Sequence, residues 1–136
     1  MEENIQKLFD RMCDPKESEA YFFADKLGSV ADEDAKNKLI ELVRGDNWEL
    51  AYLACRALSK TKYQEEGLDA IFDTIFDKKN KSVQGAFVQI LDSFDLSDRF
   101  VDVFKVYLFG NFKASTLAKD YLDEVEFDIT PRTIRK

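Results

Sequence analysis

Histidine is missing altogether from this chain of 136 residues. Its absence removes the commonest general base, the commonest metal ligand and every Ser–His or Cys–His nucleophile pair. Cysteine occurs twice, as Cys13 and Cys55. Two thiols are too few for a structural zinc site, and these lie too far apart for a CxxC redox pair. Free thiols suit a reducing cytoplasm. Proline occurs only at 15 and 131, so nothing between them forbids helix. No apolar run approaches the ~18 residues of a membrane helix, and the opening Met1-Glu2-Glu3-Asn4 lacks the basic-then-apolar pattern of a secretion signal. Phosphate-cradling GxxxxGK[ST] and GxGxxG patterns and the zinc-protease HExxH are all absent. The expectation is a cytoplasmic protein that is not an enzyme, with no catalytic residues, no metal and no cofactor.

What is present is apolar and charged residue in quantity, 45% and 35%. That is one domain with a real core, and too apolar for a disordered chain. Twenty basic side chains stand against 27 acidic ones, a net charge of −7. General binding to nucleic-acid backbone runs on clustered Lys and Arg, so nucleic acid is disfavoured as a partner. A basic protein partner matches the charge, which would speed encounter; the same charge also keeps a small protein soluble.

Apolar residues recur at intervals of three and four, the helical period. Ile5, Leu8, Phe9 and Met12 form one stripe; Leu68, Ile71, Phe72, Ile75 and Phe76 another; Phe100, Val103, Phe104, Tyr107 and Leu108 a third. Strict alternation over a strand's length does not occur. The spacing predicts eight helices over about 2–13, 15–28, 33–44, 47–59, 62–78, 81–94, 97–109 and 112–125. Asp14-Pro15-Lys16-Glu17 reads as a capping Asp, Pro at the first helical position and Glu three after the cap. Asp46 with Glu49 repeats the spacing, Thr61 with Gln64 is a weaker version, and Asn80 and Asn111 are further candidate caps. Gly28, Gly45 and Gly110 fit the left-handed position just past a helix end. The organisation expected is a single helical-repeat domain over 1–125, then an extended or mobile tail over 126–136.

The helices repeat. Ala54-Cys55-Arg56-Ala57-Leu58, Phe87-Val88-Gln89-Ile90-Leu91 and Ala118-Lys119-Asp120-Tyr121-Leu122 share a pattern of apolar, two variable positions, apolar, Leu, at spacings of 33 and 31 residues. A further step of 31 back reaches Phe23–Leu27, where Lys26 breaks the pattern. A period that holds two helices is a stacked hairpin repeat, in which neighbours bury the faces one hairpin leaves open. Gly45-Asp46-Asn47-Trp48-Glu49-Leu50-Ala51-Tyr52-Leu53-Ala54-Cys55-Arg56-Ala57-Leu58 resembles a repeat of the HEAT-repeat superfamily, especially its short bacterial form: a short turn, then a helix with small residues ending in Ala-Leu. The likeness extends over 15–125, with Phe replacing the small residues outside 46–58. It implies an all-α fold, an α-solenoid of about four hairpins, and a scaffold that binds proteins; some members of that superfamily instead act on DNA bases or serve as chromophore lyase subunits.

In such a stack the second helix of each pair lines the inner side. Register from Tyr52 gives Tyr21, Tyr52, Gly85 and Thr116; register from Arg56 gives Asp25, Arg56, Gln89 and Asp120. The rows lie four residues apart, on one helix face. Trp48, one turn before Tyr52, either joins that face or packs on a neighbouring repeat. The candidate binding face is therefore Tyr21, Asp25, Trp48, Tyr52, Arg56, Gln89 and Asp120, types that include the Tyr, Trp and Arg enriched at hot spots. An outward polar row also arises from facing water. The acids of Asp32-Glu33-Asp34 suit a helix start better than a cation site. Lys78-Lys79-Asn80-Lys81 suits the end of the preceding helix, and the two cysteines sit on apolar stripes as small hydrophobes. The expected function is a non-catalytic scaffold, adaptor or inhibitor, one form of which would be an immunity-type inhibitor of a basic toxin; the contrasting expectation is a HEAT-like enzyme or subunit acting on bases or a chromophore. The chain would be a monomer or weak homodimer, off the membrane.

Overall fold

A computed structural model describes residues 2–129, and these are all-α: helices and their connections with no strand among the described residues. The expected α class is therefore found. None of these helices is long and apolar enough to cross a membrane. The chain divides into two compact units, 1–71 and 72–136.

The first unit holds α1 (Glu3–Cys13), α2 (Ala20–Val30), α3 (Glu33–Val43), α4 (Trp48–Leu58) and the first part of α5 (Gln64–Phe76). α1 packs on α2, α3 on α4, and α2 on α4. Met12, Leu27, Leu39, Val43, Ala54 and Leu58 are buried between them. The second unit takes the end of α5, a 3-10 segment (Lys78–Val83), α6 (Gln84–Ile90), a 3-10 turn (Leu91–Ser93), α7 (Phe100–Phe109) and α8 (Phe112–Glu124). Here α7 and α6 each pack on α8. Phe87, Val88, Leu91, Val103, Val106 and Ala118 form its core.

Most of the expected helices form near their expected limits, and the departures have local causes. Asp14 does not cap a helix. Its carboxylate accepts from Lys16 N–H at 2.9 Å and its carbonyl from Glu17 N–H at 3.0 Å, which closes a turn, and α2 starts only at Ala20. Gly28 does not follow α2 but lies buried within it. A Cβ there would stand 2.3 Å from the Ala57 carbonyl oxygen, so glycine is what lets α2 lie against α4. Gly45 and Gly110 do follow helices, yet no glycine among the described residues has positive φ. Asn47, not Asp46, caps α4, accepting from Glu49 and Leu50 N–H at 3.1 and 3.2 Å. Thr61 donates back to the Leu58 carbonyl at 2.7 Å, and its hydroxyl accepts from Tyr63 N–H at 3.1 Å just ahead of α5. Asn111 caps α8 as expected, accepting from Ala114 N–H at 2.9 Å.

The helix expected over 81–94 is cut into three pieces. Asn80 is buried, and its side chain donates to the Thr74 carbonyl, closing the end of α5 instead of opening the next helix. Gln84 donates to the Ile75 carbonyl at 2.8 Å and accepts from Asn111 N–H at 2.9 Å, while Asn111 donates to the Lys81 carbonyl at 2.7 Å. These side chains satisfy helix-end groups that a continuous helix would have paired within itself. After α8, residues 126–129 are non-helical. They are anchored: Asp128 N–H donates to the Ser97 carbonyl at 2.8 Å, and Phe127 meets Phe100 edge-on at 5.5 Å. The rest of the tail, 130–136, lies outside the described residues.

Candidate functional site

The close α2–α4 packing brings residues 31 apart in sequence side by side. Tyr21 and Tyr52 meet edge-to-face, with ring centroids 6.4 Å apart. One turn further on, Arg56 donates to both carboxylate oxygens of Asp25, at 2.8 and 3.0 Å. The Arg56 guanidinium also lies 4.9 Å from the centre of the Tyr21 ring. Arg56 therefore holds Tyr21 in place and consumes the charge of Asp25. The fork-like contact holds the Asp25 carboxyl below its ordinary range and the guanidinium above its own. Burial, reinforced by Tyr21, raises the Tyr52 phenol, which stays neutral at physiological pH.

Trp48 opens α4 directly after the Asn47 cap, and 43% of its surface is exposed. It is not packed away. With Ala20, Tyr21, Glu49, Tyr52 and Leu53 it lines a hollow of about 220 Å³. Tyr21 is 55% exposed at the rim. The result is an open cup with three aromatic walls and one carboxylate, Glu49. Such a cup fits a cationic side chain, which aromatic faces attract and a carboxylate pairs.

Five of the seven expected residues thus gather in the first unit: Tyr21, Asp25, Trp48, Tyr52 and Arg56. Asp25 is tied to Arg56 and does not present a free charge for steering. Gln89 and Asp120 belong to the second unit, exposed on α6 and α8. The register positions there build no aromatic cup. Gly85 is buried and leaves no hollow, because the methylenes of Lys113 cover it, and the Thr116 hydroxyl donates to the Phe112 carbonyl. Tyr121 is the unexpected contributor: its buried hydroxyl donates to the Val88 carbonyl at 2.8 Å, joining α8 to α6. Glu49 was also passed over. It lies about 100° around a helix from Trp48, so counting in steps of four does not reach it.

No three carboxylates or thiols gather as metal ligands would among the described residues. Cys55 is buried, and burial pushes its thiol well above the ordinary value; Cys13 is half-buried and shifted the same way. Compared with protein-family models, curated proteins and solved structures, the chain matches none.

Proposed function

We propose that the chain is a non-catalytic protein-binding module, a short HEAT-like stack of helical hairpins. Its α2–α4 face grips a basic segment of a protein partner. The cup of Tyr21, Trp48 and Tyr52 with Glu49 carries this reading: exposed aromatics at the mouth of a preformed hollow are the residue types and geometry of a hot spot. Arg56 and Asp25 hold the wall rigid, so little side-chain freedom remains to be lost on binding. The net charge of −7 favours encounter with a basic partner.

The stacked-repeat reading draws support from both units. In the first, positions 31 apart touch across α2 and α4. In the second, positions 33 and 32 apart touch across α6 and α8, through Tyr121 with Val88 and Gln89. Each is a second helix lying on a second helix one period away.

Affinity capture with the full chain tests the function. A partner retained by the natural chain is expected to be lost from the Tyr21→Ala/Trp48→Ala variant, with circular dichroism and melting temperature nearly unchanged, because both side chains are exposed. Retention by the variant, or a partner whose contact surface is acidic, would refute the proposal.

A further inference from the structure

A second hollow lies on the other edge of α2, between it and α1, with a volume of about 410 Å³. Its lining has a definite chemistry. Asn4, Lys7, Leu8 and Arg11 come from one face of α1; Phe23, Lys26, Ser29 and Val30 come from α2. Leu8, Phe23 and Val30 supply an apolar floor. Lys7, Arg11 and Lys26 supply three cations, and no carboxylate lines the hollow, in a chain whose net charge is −7. The acids that pair with two of these cations, Glu3 with Lys7 and Glu17 with Arg11, are outside the lining.

Two of the three cations are held over aromatic rings. The Arg11 guanidinium lies 4.6 Å from the centre of the Phe23 ring, and the Lys26 ammonium 5.5 Å from that of Phe22. Val30, within the lining, is 50% exposed, and Phe22 on the same helix is 53% exposed. The lining recurs at i, i+3, i+4 and i+7 on α1 and at i, i+3 and i+7 on α2, so the trough follows the helices for about two turns, roughly 10 Å. A trough between paired helices, apolar below and charged along its edges, is the shape that receives a third helix with an apolar stripe.

We infer that the α1–α2 trough is a second docking site, independent of the cup, and that it receives an amphipathic acidic helix of a partner protein. The apolar stripe of that helix lies on Leu8, Phe23 and Val30, and its carboxylates meet Lys7, Arg11 and Lys26. The charge balance selects this occupant over an anionic membrane. An anionic surface too wide to enter the trough also meets the acids beside it, Glu3 and Glu17, whereas one helix enters and meets the lining, which holds three cations and no carboxylate. Within the trough that local charge dominates, because exposed charges beyond about 8 Å are largely screened at physiological salt.

The test uses the full chain and a fluorescein-labelled peptide of about four helical turns, with Leu along one stripe and Glu elsewhere, read by fluorescence anisotropy. Saturable binding is expected. Lys7→Glu/Lys26→Glu should weaken it by roughly tenfold or more. Val30→Asp should weaken it as well, and Tyr21→Ala/Trp48→Ala should leave it unchanged, which separates this site from the cup. If Val30→Asp unfolds the chain, the lysine variant carries the test, since both lysines are on the surface. Four results would overturn the proposal: no saturable binding; equal binding of a peptide of the same composition with its Leu scattered around the helix; displacement of the peptide by vesicles containing phosphatidylserine; or self-association of the chain that Lys7→Glu/Lys26→Glu abolishes, which would make a second copy the occupant.

Discussion

Two glycines, both buried and both helical, show how one residue type serves different ends. A methyl group on Gly28 would collide with a backbone carbonyl, that of Ala57, which can move only if α4 moves. A methyl group on Gly85 would meet the Cδ, Cγ and Cβ of Lys113, at 2.5, 2.7 and 3.1 Å, so the root of an exposed side chain must give way rather than a backbone carbonyl. Alanine favours helix over glycine by about 1 kcal/mol, while forced overpacking costs about 1–3 kcal/mol. Gly28→Ala is therefore expected to destabilise by about 1–2 kcal/mol in urea unfolding and to loosen the cup. Gly85→Ala should cost less, within about 1 kcal/mol of zero, because the helix preference for alanine offsets part of the shift of Lys113. Equal effects of the two substitutions would show that the α2–α4 approach is not limited by Gly28.

At the level of elements, the informative feature is a helix that breaks. The pattern of Val83, Phe87, Ile90, Leu91 and Phe94 correctly marks a buried face, and all but half-buried Val83 are buried. Periodicity records which side faces the core, and it is silent on whether the backbone runs unbroken. The break is made by Asn80 and Gln84, whose side chains reach back to the end of α5. Gln84 serves two partners at once, the buried Ile75 carbonyl and the partly buried Asn111 N–H. Gln84→Ala orphans both, and is expected to lower stability by about 2–3 kcal/mol in chemical denaturation. A loss below about 0.5 kcal/mol would mean that water replaces the amide without penalty. The legible parts of the fold were those set by period and by short-range caps: six of the eight helices lie close to their expected limits, and Asn111 caps α8. The parts that were not legible depend on longer reach. Gly28 looks like a helix stop until Ala57 is placed against it, and Asp14-Pro15 looks like a cap until its turn closes on itself. For the site, a step of 31 residues correctly paired Tyr21 with Tyr52 and Asp25 with Arg56. It could not reveal that Asp25 would be neutralised by Arg56, nor that Glu49 would supply the carboxylate.

For the molecule as a whole, charge sets the response to pH. Asp25 and Asp95 have carboxyls held below their ordinary range, by Arg56 and by the Ser97 N–H respectively. A carboxyl whose folded value is depressed contributes stability that is complete above its unfolded value and lost as pH falls through the folded one. The urea midpoint should thus change little between pH 9 and about 5 and fall below about pH 4, where Asp in an unfolded chain titrates. Relief of self-repulsion runs the other way, because protonation reduces the net negative charge of −7, but at physiological salt that long-range term is screened. A midpoint that rises steadily down to pH 3 would place repulsion above the paired carboxyls. The same balance distinguishes the two surfaces of α2. Binding at the cup and binding at the trough should both weaken with salt while preferring ligands of opposite sign.

The chain contains a single indole, and it stands at the lip of the aromatic cup, open to water. Its ultraviolet emission is therefore a private signal of that one spot. It is quiet about the core that folding assembles, and sensitive to whatever arrives to shade the ring from solvent.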